Sequence, residues 1–140
     1  MEATVRWLSP MSFVAETGSG HAIVVDGAEE HGGRDLGARP MEMLLVGLGS
    51  CSSFDVMLML QKGRQKVTDC RALVSAERAN TEPKVFTKIN VHFVVTGHDV
   101  SESKVARAIE LSAEKYCSAS IMLGATAEMT HSYEVVAAPS

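Results

Sequence analysis

Three cysteines, at positions 51, 70 and 117, are the residues best able to do chemistry in this 140-residue chain. The thiolate form of cysteine is both a nucleophile and a metal ligand. Three is an odd number, the spacing is wide, and there is no CxxC or Cys/His ligand pattern. Neither a disulfide framework nor a structural zinc site is therefore expected. In a reducing compartment such cysteines are either inert small hydrophobes or reactive groups. Cys51 sits in Gly47-Leu48-Gly49-Ser50-Cys51-Ser52-Ser53, where small side chains let another backbone approach closely. Cys117 follows Glu114-Lys115-Tyr116 at a helix end. If the next segment is helical, its thiol lies at that helix N-terminus, where the dipole favours a thiolate. Cys70 falls within a strand pattern and reads as structural.

Asp55 is one helical turn beyond Cys51 and on the same side. An ionised carboxylate there raises the thiol pKa and opposes reactivity unless a cation intervenes. His21, His92 and His131 lie on separate strands or loops and form no constellation that selects a base. The eight methionines read as core filler.

The elements that must position these residues follow from periodicity. Glu2 to Leu8 and Met11 to Glu16 alternate around a Ser9-Pro10 turn, and His21 to Asp26 suits a third strand. Gly27 to Arg39 is rich in Gly, Glu, Arg and Asp and reads as an exposed, mobile loop. Pro40 then opens a helix that runs to about Leu60 and stops at Gln61-Lys62-Gly63-Arg64. From Met41 to Ser53 this helix is apolar or small on every side, so it should be buried all round. Some 22 residues make a helix about 33 Å long. A domain this small rarely covers such a rod alone, and a second subunit is expected to help. Val67 to Ala79 and Val85 to Thr96 read as strands joined by Asn80-Thr81-Glu82-Pro83. Ser101 can N-cap the next helix, whose buried face carries Val105, Ala108, Ile109, Ser112, Ala113 and Tyr116. Ser118 to Leu123 suits a short helix, and Thr130 to Val136 a last strand. The order β-β-β-α-β-β-α-α-β gives an α+β fold, read as a single domain over residues 1–140.

The totals narrow the class. A net charge of −4 without a basic cluster argues against nucleic acid or an anionic membrane as partner. The N-terminus lacks the apolar core of a secretory signal, and the Met41 to Gly49 stretch is shorter than a bilayer span. A cytoplasmic location is expected.

The segment from Arg39-Pro40-Met41-Glu42 to Gly49-Ser50-Cys51 resembles the central-helix motif of the OsmC/Ohr superfamily of thiol proteins. Leu60 to Gln65, Leu111 to Ser118 and His131 to Val136 look like its YhfA-like branch. The resemblance spans about Val5 to Ala138, with all motifs in order. It implies an intertwined homodimer, β-sheets wrapped around central antiparallel helices, with two sites at the interface. It also implies a thiol peroxidase with no cofactor. Cys51 attacks an organic hydroperoxide and Cys117 resolves the sulfenic acid to a disulfide. A dithiol such as a lipoyl protein then reduces that disulfide. The family places a glutamate directly after the helix-opening proline, orienting an arginine that activates the thiol. Here Met41 holds that position and the carboxylate follows as Glu42. Glu42 is about 13.5 Å along the helix axis from Cys51 and on roughly the opposite side, so any contact must be with the partner's site. Arg34 and Arg39, in the loop before the helix, are the arginine candidates. The displaced glutamate leaves a second reading: a non-catalytic dimeric binding protein that holds a small apolar or thiol ligand.

Overall fold

A computed structural model describes residues 1–140, which form two compact units, Met1–Leu44 and Leu45–Ser140. In the first, strands β1 (Ala3–Leu8), β2 (Ser12–Thr17) and β3 (Ala22–Asp26) make an antiparallel sheet in that order. Register puts Val5, Ala15 and Ile23 in one cross-strand row and Trp7, Phe13 and Val25 in the next. Alternation gives these two rows one face of the sheet. Trp7 is 63% exposed on that face within the single chain.

The segment after β3 is tied down, which composition did not foretell. Asp26 is fully buried, and its carboxylate accepts the N–H groups of Gly27, Arg34 and Leu36 at 2.8, 3.1 and 3.1 Å. A short 3-10 turn at Glu29–His31 and the Asp26 N–H to Ala38 carbonyl bond of 3.0 Å complete the anchorage. One buried carboxylate thus organises a loop expected to be mobile.

Helix α1 (Pro40–Lys62) opens at its proline, and the Arg39 N–H donates to Glu42 Oε1 at 2.8 Å. It ends with Arg64, not Gly63, in the left-handed region, at φ 56°. The Gln65 N–H returns to the Leu60 carbonyl at 2.9 Å and satisfies an end group that would otherwise be orphaned. The helix is long and apolar enough to cross a bilayer by length and composition. A core helix has the same character. Only Leu48, Gly49, Ser52, Val56 and Leu60 are buried, so the expectation of burial all round is not met by one chain.

In the second unit, β4 (Lys66–Arg78) pairs antiparallel with β5 (Phe86–His98), and β5 pairs parallel with β6 (Glu128–Ala137). A parallel pair cannot be joined by a hairpin, so the chain must cross over. The crossover is α2 (Glu102–Leu111), a π turn at Ser112–Tyr116, and α3 (Ser118–Gly124). Ser101 caps α2 through its hydroxyl, which accepts the Lys104 N–H at 3.4 Å. Val105, Ala108 and Ile109 are buried as expected, but Tyr116 is 51% exposed because the π turn rotates it off the buried face. Ile89, Val91, Phe93 and Val95 line the buried face of β5. Each large side chain buried here contributes about 1.5–3 kcal/mol.

Candidate active site

Small side chains let α1 settle onto its sheet. A Cβ on Gly49 would stand 3.1 Å from Val74 Cγ2 on β4, so only glycine gives this approach without displacing a neighbour. The next turn presents Cys51, Ser52 and Asp55 to the crossover. There the π turn inserts one residue, and the Cys117 N–H reaches back to the Ser112 carbonyl at 2.8 Å. Cys117 then leaves the helical conformation, at φ −78° and ψ 103°, and becomes the N-cap of α3.

The two elements meet through side chains. Ser52 Oγ lies 3.3 Å from Cys117 Sγ and 3.5 Å from Ser120 Oγ, and the Ser120 N–H donates to Cys117 Sγ at 3.4 Å. Ser112 Oγ donates to Asp55 Oδ2 at 3.0 Å. Cys51 Sγ, Cys117 Sγ and an Asp55 carboxylate oxygen lie within 4.8 Å of one another. Both thiols are free; Cys117 is buried and Cys51 half-buried. Two sulfurs and a carboxylate are also a donor set of the kind thiophilic cations accept.

The environments push the two thiols apart. For Cys51, burial raises the pKa above the ordinary thiol value, and the neighbouring Cys117 and Asp55 raise it further against one N–H from Ala119. For Cys117, burial also raises the pKa, but the Ser120 and Ser52 hydroxyls, the Ser120 N–H and the Cys51 thiol outweigh it. The net direction is down. The two thiols titrate as a coupled pair, with hydrogen bonds favouring the charged form more at Cys117 than at Cys51.

The expected residues divide into two groups. The structure brings Cys51 and Cys117 together with Asp55, and adds Ser52, Ser112 and Ser120, which sequence reasoning did not select. Their signal was faint: small hydroxyl residues at helical spacing, ordinary beside any packed helix. Arg34, Arg39 and Glu42 belong to the first unit and have partners there. Arg34 Nη2 donates to the Ser9 carbonyl at 3.1 Å, and Glu42 accepts the Arg39 N–H. No histidine is among the groups bonded to either thiol. His92 instead joins Ser132 at 2.8 Å and Glu134 at 3.3 Å across β5 and β6. His131 is half-buried, its Nε2 lacks a partner, and burial lowers its pKa. Cys70 is half-buried on β4, its thiol pushed up by burial and then by Asp69.

Residues 32–132 match the family model described as OsmC-like protein. The chain belongs to the OsmC-like family. It is 49% identical over 138 residues to Protein YhfA of Escherichia coli strain K12, covering 99% of this chain and all of that one. The fold of this OsmC-like chain is shared by a hypothetical protein from Aquifex aeolicus VF5, 33% identical, at a TM-score of 0.86 over 99% of this chain and 97% of that one. An organic hydroperoxide resistance protein OsmC from Legionella pneumophila, also called a predicted redox protein, shares the fold alone. It is 18% identical, at a TM-score of 0.68 over 95% of each chain.

Proposed function

We propose that this OsmC-like protein reduces organic hydroperoxides through Cys51 and Cys117, acting in the cytoplasm as a homodimer. One observation carries the reading: two free thiols lie within 4.8 Å of each other, one reachable and one buried. Cys51, as thiolate, attacks the terminal peroxide oxygen. The O–O bond breaks, the alcohol leaves with a proton, and Cys51 becomes a sulfenic acid. The Cys117 sulfur then attacks Cys51 Sγ; hydroxide leaves, takes up a proton as water, and the disulfide forms. A dithiol of the lipoyl-protein class returns both thiols by exchange. The hydrogen bonds that hold Cys117 towards thiolate suit the second step, since the thiolate is the attacking species. The hydroperoxide resistance protein that shares the fold supports the substrate class.

The homodimer rests on α1. Leu44, Val46, Phe54 and Leu58 are exposed apolar residues on it, and Phe54 is 71% exposed. A second copy packed against these residues would give the helix its missing cover. In that assembly both compact units serve as one domain. Arg39 is a candidate to act on a thiol there, as are Arg34 and Glu42 once freed from their local partners.

Purified protein supplied with a dithiol should consume cumene hydroperoxide, and Cys51→Ser should abolish turnover. Undiminished turnover in Cys51→Ser would refute the reading. The raised pKa of Cys51 and the local pairing of Arg34 and Glu42 favour a second reading, a dimeric binding protein for a small apolar or thiol ligand. Native mass spectrometry showing a retained ligand, with Cys51 inert to peroxide, would decide for it.

A further inference from the structure

Asp55 is the group that thiol peroxidase chemistry leaves unused, and it works against that chemistry. Its carboxylate sits beside two sulfurs that must each carry negative charge in turn. No Lys, Arg or His of residues 45–140 forms an ion pair with it. A serine hydroxyl holds one of its oxygens in place, as an outer partner fixes a metal-binding carboxylate. Like charges gathered this closely cost energy unless a cation joins them.

We infer that Cys51 Sγ, Cys117 Sγ and the Asp55 carboxylate bind a thiophilic divalent cation of the zinc class. The dimensions fit. With zinc–sulfur bonds of about 2.3 Å and zinc–oxygen bonds of about 2.0–2.2 Å, tetrahedral edges are about 3.8 Å between sulfurs and about 3.5 Å from sulfur to oxygen. The donor atoms already lie within 4.8 Å of one another, so side-chain rotation has to close no edge by more than about 1.3 Å. The ligands come from two elements that are already docked: adjacent turns of α1 supply Cys51 and Asp55, and the N-cap of α3 supplies Cys117. Two thiolates select a soft or borderline cation over magnesium or calcium. Both thiol protons leave to solvent on binding, and the complex carries one net negative charge. Water fills the fourth position, so the site is open rather than closed like a zinc finger. Because the same sulfurs form the proposed disulfide, cation and disulfide exclude each other.

The test uses the full-length protein, reduced, stripped with a chelator and titrated with Co2+. One equivalent per chain should produce thiolate-to-cobalt charge transfer and the intense visible absorption of a tetrahedral site. Cys51→Ser and Cys117→Ser should each lose part or all of the charge-transfer band. Asp55→Asn should keep it but bind at least about tenfold more weakly. Cys70→Ser should titrate as wild type. Absence of charge transfer in the wild type at stoichiometric Co2+ overturns the inference, and so does undiminished affinity in Asp55→Asn. Peroxide consumption by the metal-free protein is a separate readout. Its loss would remove the peroxidase reading and leave the cation site standing, and the converse also holds.

Discussion

At the scale of single residues, Ser52 does more than its size suggests. It is buried in the middle of α1, and its hydroxyl faces both the Cys117 sulfur and the Ser120 hydroxyl. A buried hydroxyl without partners costs free energy, so these contacts fix where α3 docks. Ser52→Ala should lower the free energy of unfolding by about 1 kcal/mol, the net worth of an ordinary hydrogen bond, in urea denaturation of the reduced protein. Cys70 offers the opposite case. It lies on β4, away from the thiol pair, and burial keeps it protonated. Cys70→Ser should lose one titratable thiol in a denatured-state count while peroxide consumption stays within twofold of wild type. A larger fall would show that the third cysteine takes part.

At the scale of elements, tight approaches and buried charge govern the outcome. Gly49 lets α1 settle against Val74, and a larger side chain must push the two apart. Gly49→Leu should destabilise the fold by about 1–3 kcal/mol, the usual cost of overpacking, read from the urea midpoint at unchanged slope. The segment after β3 depends on Asp26. Burial raises its pKa, but the N–H groups of Leu36, Arg34 and Gly27 outweigh that and hold it below the ordinary 3.8. A depressed carboxylate contributes stability that is complete above its unfolded pKa and disappears as pH falls through the folded one. Hydrogen exchange at the Arg34 and Leu36 amides, corrected for intrinsic rates, should therefore lose protection on acidification below about pH 4. In Asp26→Asn that protection should be reduced at neutral pH and no longer vary with acid.

The same elements show how much the sequence could disclose. Strand and helix order and the capping serine were legible from periodicity, whereas the nearness of Cys51 and Cys117 was implied only by the family resemblance. The anchorage of residues 27–39 was not, because a Gly- and charge-rich segment looks the same whether or not a buried carboxylate gathers its N–H groups. Nor was the π turn, since one inserted residue barely disturbs a helical pattern. The helix end at Lys62 fell where the sequence put it, while the left-handed residue of that turn, Arg64 beside Gly63, had no signal in composition.

At the scale of the whole molecule, the apolar surface of α1 sets the expected assembly. A substitution there should change the state of association before it changes the fold. Phe54→Asp should move the protein from dimer to monomer in analytical ultracentrifugation at micromolar concentration, with helix content by circular dichroism nearly unchanged. A wild-type monomer at that concentration would remove the dimer from the proposal.

The crossover between β5 and β6 has a consequence in time. Ser52 and its contact Cys117 are 65 residues apart in the chain. At about 5–20 residues per second, Cys51 leaves the ribosome several seconds before the thiol that would resolve it. During that interval the nascent chain carries Cys51 and Cys70 without Cys117, the sulfur that the fold brings to Cys51. An oxidant that reaches it then can drive it past the recoverable sulfenic acid to a dead end. Damage during synthesis should therefore leave a signature of its own under peroxide stress: sulfinic or sulfonic acid at Cys51, with Cys117 still reduced.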